Sequence, residues 1–291
     1  MSRKINQSII FLLLLVPALA TAQKKESVLW KITGNNLPSA SYLFGTFHTV
    51  SFQLIDSFPQ LKNIINNCKY GVFEKSENTI GNVEYADIKT PPLDAIFTAH
   101  EYALVDSFFT KSPFGSIKPH NNDASLMAML QAVVMLNEEE TKNQAMFFDE
   151  YIHTYMEDSL KRNTFGLDEP VEMAESAQKY DYKTAAKTLV YLIETKVNVN
   201  RLINIKTLDE ALYKKSMQAD MALNEEPKEE WIREGTIKRN QIWLPKIISK
   251  TKEGSCFIAV GLGHLQYKTG LIALLRGKGY KVEPIRLNKI K

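Results

Sequence analysis

With 291 residues, 44% of them hydrophobic, 14 Phe and a formal charge of +3, the chain has material for a large core and lacks the clustered cations on which nucleic-acid binding rests. Two cysteines are too few for a disulfide-built scaffold. No stretch has the roughly 20 apolar residues of a permanent membrane span.

Arg3 and Lys4 precede a short apolar run, Ile9–Val16, and Ala20-Thr21-Ala22 forms a small-x-small cleavage pattern. This is the layout of a secretory signal peptide over residues 1–22, so the expected mature chain starts at Gln23 and its charge falls from +3 to +1. The expected location is outside the cytoplasm, periplasmic or secreted. No Cys stands at the cut to carry a lipid.

From Val28 to Glu74 the pattern is strand-rich. Val28–Thr33 and Ala40–Phe44 flank the turn Gly34-Asn35-Asn36 as in a hairpin, Phe58–Asn67 has helical spacing, and Tyr70–Glu74 is a short apolar strand. Pro91-Pro92 marks a boundary. A mostly helical middle, about 93–250, follows, with helices predicted over Leu93–Thr110, Ala124–Asn137, Gln144–Lys161, Pro170–Lys179, Thr184–Thr195, Thr207–Leu223 and Glu229–Ser249, and a short strand over Thr164–Leu167. Ser112–Asp123 is a loop. The end returns to α/β alternation with a strand at Cys256–Val260, a helix at Gly270–Arg276 and a strand at Tyr280–Leu287. Neither end has enough strands to stand alone, so the two are expected to share one sheet, with the helical middle as an insertion packed on it.

Both ends carry the same local pattern. Tyr42-Leu43-Phe44-Gly45-Thr46-Phe47-His48 and Phe257-Ile258-Ala259-Val260-Gly261-Leu262-Gly263-His264 each run from an apolar strand into Gly-x-x-His, and each precedes a helix and another strand. His48 and His264 therefore fall in loops beyond strand carboxyl ends, where α/β sheets bind ligands. Glu74 ends a strand in the same way. Two imidazoles and a carboxylate form a donor set for a transition metal with open positions for water or substrate.

Other motifs lead elsewhere. His100-Glu101 lacks the second His of a zincin helix, and Gly261-Leu262-Gly263 lacks the third glycine of a dinucleotide fingerprint. No Gly-x-Ser-x-Gly elbow and no phosphate-binding loop of the Walker type exist. Arg239-Asn240 reads, on sequence alone, as an exposed pair on a helix. Cys68 and Cys256 precede two predicted strands and read equally as a disulfide or as two buried thiols.

Gly45-Thr46-Phe47-His48, Val72-Phe73-Glu74, Arg239-Asn240 and Gly261-Leu262-Gly263-His264-Leu265 resemble, in order, the motifs of the TraB/PrgY/GumN family, grouped with the Tiki proteins and distantly related to erythromycin esterases and haem-uptake ChaN-like proteins. Leu29-Trp30-Lys31-Ile32 and Gly279-Tyr280-Lys281-Val282 resemble its bacterial GumN-like members. The resemblance implies one domain over 23–291, with a central mixed sheet flanked by helices. It implies His48, Glu74 and His264 as the metal or catalytic set, and Arg239 as an oxyanion or substrate contact. It further implies a Tiki-like metal-dependent peptidase using manganese or cobalt, zinc being compatible, on a peptide or protein substrate, with Glu74 completing the metal shell or acting as general base. The alternatives it leaves are a metal- or haem-binding protein without turnover and a regulatory interaction protein. The chain departs from the family at Asp168, where Glu is usual, at Met173, where Gln is usual, and at Tyr267, where Gly is usual. The first two changes weaken a role for the middle acid, and Tyr267 is placed to narrow the site.

Overall fold

The computed structural model describes residues 25–48, 50–75, 91–137, 146, 148–168, 182–196, 209–227 and 236–290. The signal segment and the helix expected at Pro170–Lys179 lie outside them.

The hairpin forms as its turn requires. β2 (Leu29–Thr33) pairs antiparallel with β3 (Ser41–Thr46), and the chain reverses through Gly34, Asn35 and Asn36 at φ values of 90°, 47° and 57°. Glycine and asparagine accept that left-handed region at least cost. The remaining strands are β1 (Lys25–Ser27), β4 (Tyr70–Phe73), β5 (Asn163–Gly166), β6 (Gln218–Asp220), β7 (Cys256–Gly261) and β8 (Lys281–Pro284).

Six of these strands form one mixed sheet in the order β5-β4-β7-β3-β2-β8, so both ends of the chain do build it together. β5, β4, β7 and β3 run parallel, while β2 and β8 are antiparallel to their neighbours. The central parallel strand β7 is buried at every residue. A strand covered on both faces must be apolar throughout, and Cys256-Phe257-Ile258-Ala259-Val260-Gly261 is. Trp30, Phe44, Phe58, Phe148, Trp243 and Phe257 dominate the core around the sheet.

The helical middle divides in two. Helices α1 (Pro59–Asn67), α5 (Phe148–Thr154), α7 (Glu210–Ser216) and α8 (Lys238–Glu253) contribute to the sheet core. Helices α2 (Leu93–Ile96), α3 (Ala99–Thr110), α4 (Leu126–Asn137) and α6 (Tyr182–Thr195) instead share a second core built on Val105, Phe109, Val133 and Leu189. The insertion is thus only partly packed on the sheet.

Two predicted helices are shorter than their apolar spacing suggested. The expected Leu93–Thr110 helix is broken at Phe97-Thr98. There the Thr98 hydroxyl accepts the Glu101 amide, and the Glu101 carboxylate accepts the Thr98 amide. This capping box starts a new helix and gives His100-Glu101 its place. The expected Thr207–Leu223 helix stops at Ser216, because Met217 turns left-handed at φ 47° and the chain leaves as β6 to pair with β1. Long-range pairing overrides helical spacing here. The strand expected at Thr164–Leu167 is β5, displaced by one residue.

Cys68 and Cys256 are buried free thiols. Both are pushed up to about 12, chiefly by burial, with Cys256 contributing to the rise at Cys68.

Candidate active site

The parallel half of the sheet sets the site. Gly45 of β3 lies opposite Val260 of β7, and Thr46 opposite Gly261. The two Gly-x-x-His loops therefore leave neighbouring parallel strands at the same edge. Phe73 of β4 lies opposite Ala259 of β7 and Gly166 of β5, so Glu74 and Asp168 emerge at that edge too. Four parallel strands thus deliver His48, His264, Glu74 and Asp168 to one end of the sheet.

Arg239 connects them from α8. Its Nε donates to Asp168 Oδ1 at 3.1 Å and its Nη2 to Asp168 Oδ2 at 2.8 Å. Nη2 also donates to Glu74 Oε2 at 2.6 Å, and Nη1 donates to His264 Nε2 at 3.2 Å. Four of the five guanidinium hydrogens are committed in this way, which leaves one Nη1–H with no acceptor among the described residues. Burial opposes the charge on Arg239, but Glu74 and Asp168 outweigh it and raise its pKa. The reading of Arg239-Asn240 as an exposed helix pair is corrected: Asn240 is fully buried and Arg239 is half-buried among its partners. Helical period places Arg239, Asn240 and Trp243 on one face of α8, and the sheet edge covers that face.

Each of these neighbours fixes another. Asn240 Nδ2 donates to the carbonyls of His264 and Thr269 at 3.1 and 3.0 Å. Its Oδ1 must then be the acceptor for His264 Nδ1–H at 2.8 Å, which leaves Nε2 with a bare lone pair. Burial, opposed by Glu74 and assisted by Arg239, lowers the His264 pKa to about 4, so the ring is neutral at pH 7. Trp243 donates its Nε1–H to Asp168 Oδ1 at 3.0 Å. Its ring lies 4.3 Å from both the guanidinium carbon and the His264 ring. Glu74 Oε1 accepts the Gly261 amide at 2.7 Å. Burial works against the Glu74 carboxylate, yet His264, Arg239, His48 and the Gly261 amide together hold its pKa well below the usual range.

His48 is the outermost member, with 47% of its side chain exposed. Its Nδ1 lies 2.8 Å from Asp149 Oδ1 at the start of α5. Desolvation disfavours its charged form, but the Asp149 carboxylate prevails and raises its pKa to about 9. The other ring nitrogen faces inward: a methyl on Gly261 would meet His48 Nε2 at 3.0 Å and Glu74 Oε1 at 3.2 Å. The absence of a side chain at Gly261 keeps the space between those two groups open.

The two imidazoles have opposite pH signatures. The folded His264 refuses a proton that the unfolded chain accepts below about 6.5. Stability is therefore expected to fall as pH is lowered from 6.5 toward 4. His48 gains a proton on folding, so its contribution is complete below about 6.5 and is lost as pH rises toward 9. Imidazole nitrogen NMR is expected to show His264 neutral at pH 5.5 and His48 cationic at pH 8; a charged His264 at pH 5.5 would refute the assignment.

Two imidazoles and a carboxylate are donor types that a divalent ion takes, although His48 would first give up its proton and His264 Nε2 its bond from Arg239. Both rings have their Nδ1 fixed by an oxygen acceptor and point Nε2 toward the Glu74 carboxylate, which is how outer partners orient metal-ligating imidazoles. The shell is not closed: among the described residues no group of three His, Cys, Asp or Glu side chains meets at one point. Arg239 stands between Glu74 and His264.

Sequence reasoning set aside Asp168 and missed Asp149 and Trp243. The departure from Glu to Asp at 168 was read as weakening that acid, whereas it anchors Arg239 bidentately and is nearly fully buried. Asp149 lies 101 residues from His48, with no local signal to join them. Tyr267, at the usual glycine position, has φ 69°, the left-handed value that favours glycine, and its ring is buried.

The α/β sheet thus carries two histidines, two acids and an arginine at one edge of its parallel half. The chain belongs to the TraB/PrgY/gumN family, whose model matches residues 28–284. No curated protein and no solved structure gives a significant match.

Proposed function

We propose that this protein is a metal-dependent hydrolase of acyl bonds, in the first place a peptidase using manganese or cobalt, acting outside the cytoplasm after removal of residues 1–22. The convergence of His48, Glu74 and His264 at the carboxyl ends of adjacent parallel strands, with Arg239 reaching them from α8, carries this reading. His48, Glu74 and His264 would hold the ion; what a divalent ion supplies at such a set is carbonyl polarisation and a nucleophile available near neutral pH.

The chain's own residues do the rest. Asn240 keeps the hydrogen of His264 on Nδ1, and Asp149 holds the His48 ring with Nε2 turned inward. Glu74 is ionised at any working pH and sits where it can accept a proton from attacking water or complete the ligand shell. Arg239 keeps one Nη1–H for the oxygen that gains charge on the attacked carbonyl. Asp168 and Trp243 fix the plane of that guanidinium, so its direction is set before substrate arrives.

Cleavage of a mixed peptide library, read by mass spectrometry, tests the reading. The wild type is expected to cut when manganese or cobalt is present and to stop when chelator is added. Glu74→Gln is expected to lose about 10²–10⁴ in rate, because the amide is no base and its NH₂ must face one of two donors, Arg239 Nη2 or the Gly261 amide. Metal-independent cleavage, or full activity in Glu74→Gln, would refute the assignment.

A further inference from the structure

Strand β3 outruns its antiparallel partner at the end that bears His48, because the last β2 pairing is Leu29↔Phe44. Gly45 therefore finds other partners. Its N–H donates to the Val28 carbonyl at 2.9 Å, and its carbonyl accepts the Tyr213 hydroxyl at 2.8 Å. The Val28 N–H donates to the Met217 carbonyl at 3.0 Å, and the Met217 N–H donates to the Tyr213 carbonyl at 2.7 Å. Four hydrogen bonds thus close a ring through Tyr213, Gly45, Val28 and Met217. Three of them join backbone to backbone, which any residue but proline can do. The Tyr213 hydroxyl is the one side-chain member. We propose that Tyr213 is the positioning residue for His48: by pinning the Gly45 carbonyl it sets the direction in which Gly45-Thr46-Phe47-His48 leaves the sheet, and so delivers the His48 ring to Asp149. The inference rests on the reading of His48 as a working member of the site.

The surroundings suit that role. Tyr213 is fully buried and reaches the loop from α7. Phe47, one residue before His48, packs its ring 5.6 Å from the phenol ring, and its backbone N–H faces the phenol oxygen. Burial, with Asp149 adding to it, holds the phenol's pKa well above its ordinary value against the pull of the Phe47 amide. The hydroxyl therefore keeps the hydrogen that it donates. The same Asp149 stands 2.8 Å from His48 Nδ1. A backbone clamp from α7 and a side-chain clamp from α5 thus act on one short loop, on either side of Thr46-Phe47. With 47% of its side chain exposed, His48 has less packing to hold it than a core residue has, so its direction follows the loop and the Asp149 contact.

The test is Tyr213→Phe, which keeps the buried ring and removes the hydroxyl, compared with Asp149→Asn and Val133→Ala in the full-length processed protein. Val133 lies in the second helical core and controls for destabilisation alone. Imidazole nitrogen NMR at pH 8 reads His48 without substrate or metal. Tyr213→Phe is expected to move the His48 nitrogens from their cationic values toward the neutral ones of Asp149→Asn, while Val133→Ala leaves them as in wild type. On a peptide that the wild type cuts, Tyr213→Phe is expected to lose about 10–100-fold in kcat with KM little changed, since displacing a reacting group by about 1 Å can cost about 100-fold. A wild-type His48 signal or a wild-type kcat in Tyr213→Phe overturns the proposal, whatever the variant does to the melting temperature. If the wild type cuts no peptide, the hydrolase reading falls by itself, and the NMR signal still decides whether Tyr213 positions His48. Should Tyr213→Phe not fold, exchange of the Tyr213 hydroxyl proton in the wild type decides the matter. Slow exchange supports the pin, and fast exchange with His48 still cationic at pH 8 overturns it.

Discussion

Asp168→Ala is expected to lower folding stability by about 3–5 kcal/mol, the usual consequence of removing one partner from a buried ion pair. The carboxylate is 7% exposed and accepts from Arg239 Nε, Arg239 Nη2 and Trp243 Nε1. Without it the half-buried guanidinium is left with Glu74 as its one carboxylate partner, and the Trp243 N–H loses its acceptor. For a domain of this size each kcal/mol moves the melting temperature by roughly 2–4 °C, so thermal denaturation is expected to shift by about 6–20 °C. A single variant that melts with the wild type would show that the contact carries little of the fold's stability.

Gly261→Ala is expected to act on chemistry more than on folding. The added methyl would stand 3.0 Å from His48 Nε2 and 3.2 Å from Glu74 Oε1, in the gap between the two groups. His48 is at the exposed rim and can yield, so the fold is expected to survive with a modest change in melting temperature. Displacing a reacting group by about 1 Å can cost about 100-fold in rate, and peptide hydrolysis by Gly261→Ala is expected to fall by that order. Wild-type turnover in this variant would show that the space between His48 and Glu74 is not where reaction takes place.

Glycine does different work at Gly45. A methyl there would meet Leu262 Cδ1 at 2.7 Å and Leu265 Cδ2 at 3.1 Å, both in the second histidine loop. The two Gly-x-x-His motifs therefore pack against each other as well as emerging side by side. Gly45 lets the second loop close down on β3, and Gly261 keeps the space before His48 and Glu74 clear.

Much of this architecture was legible from local pattern. The hairpin around Gly34-Asn35-Asn36, the fully apolar Cys256–Val260 strand and the repeated strand-Gly-x-x-His unit are each encoded within a few consecutive residues. Steric limits on φ and the two-residue period of strands act at that range. The repeated unit pointed to His48 and His264 at a common sheet edge, and the end of the strand Tyr70–Glu74 pointed to Glu74 there, since parallel strands present their carboxyl ends together.

The tertiary structure alone decided who partners whom. Asp149 meets His48 across 101 positions, Asp168 meets Arg239 across 71, and Arg239 meets Glu74 across 165. No periodicity encodes such pairings, because they follow from strand order and from the face of α8 that docks on the sheet. The same holds for Met217, where pairing of Gln218–Asp220 with β1 ended a helix that its apolar spacing favoured. Sequence by itself determined the strands, the turns and the loops that bear the histidines. Folding decided that Asn240 would set the tautomer of His264 and that Arg239 would occupy the space between two prospective ligands, since both depend on contacts that exist only once distant segments are packed together.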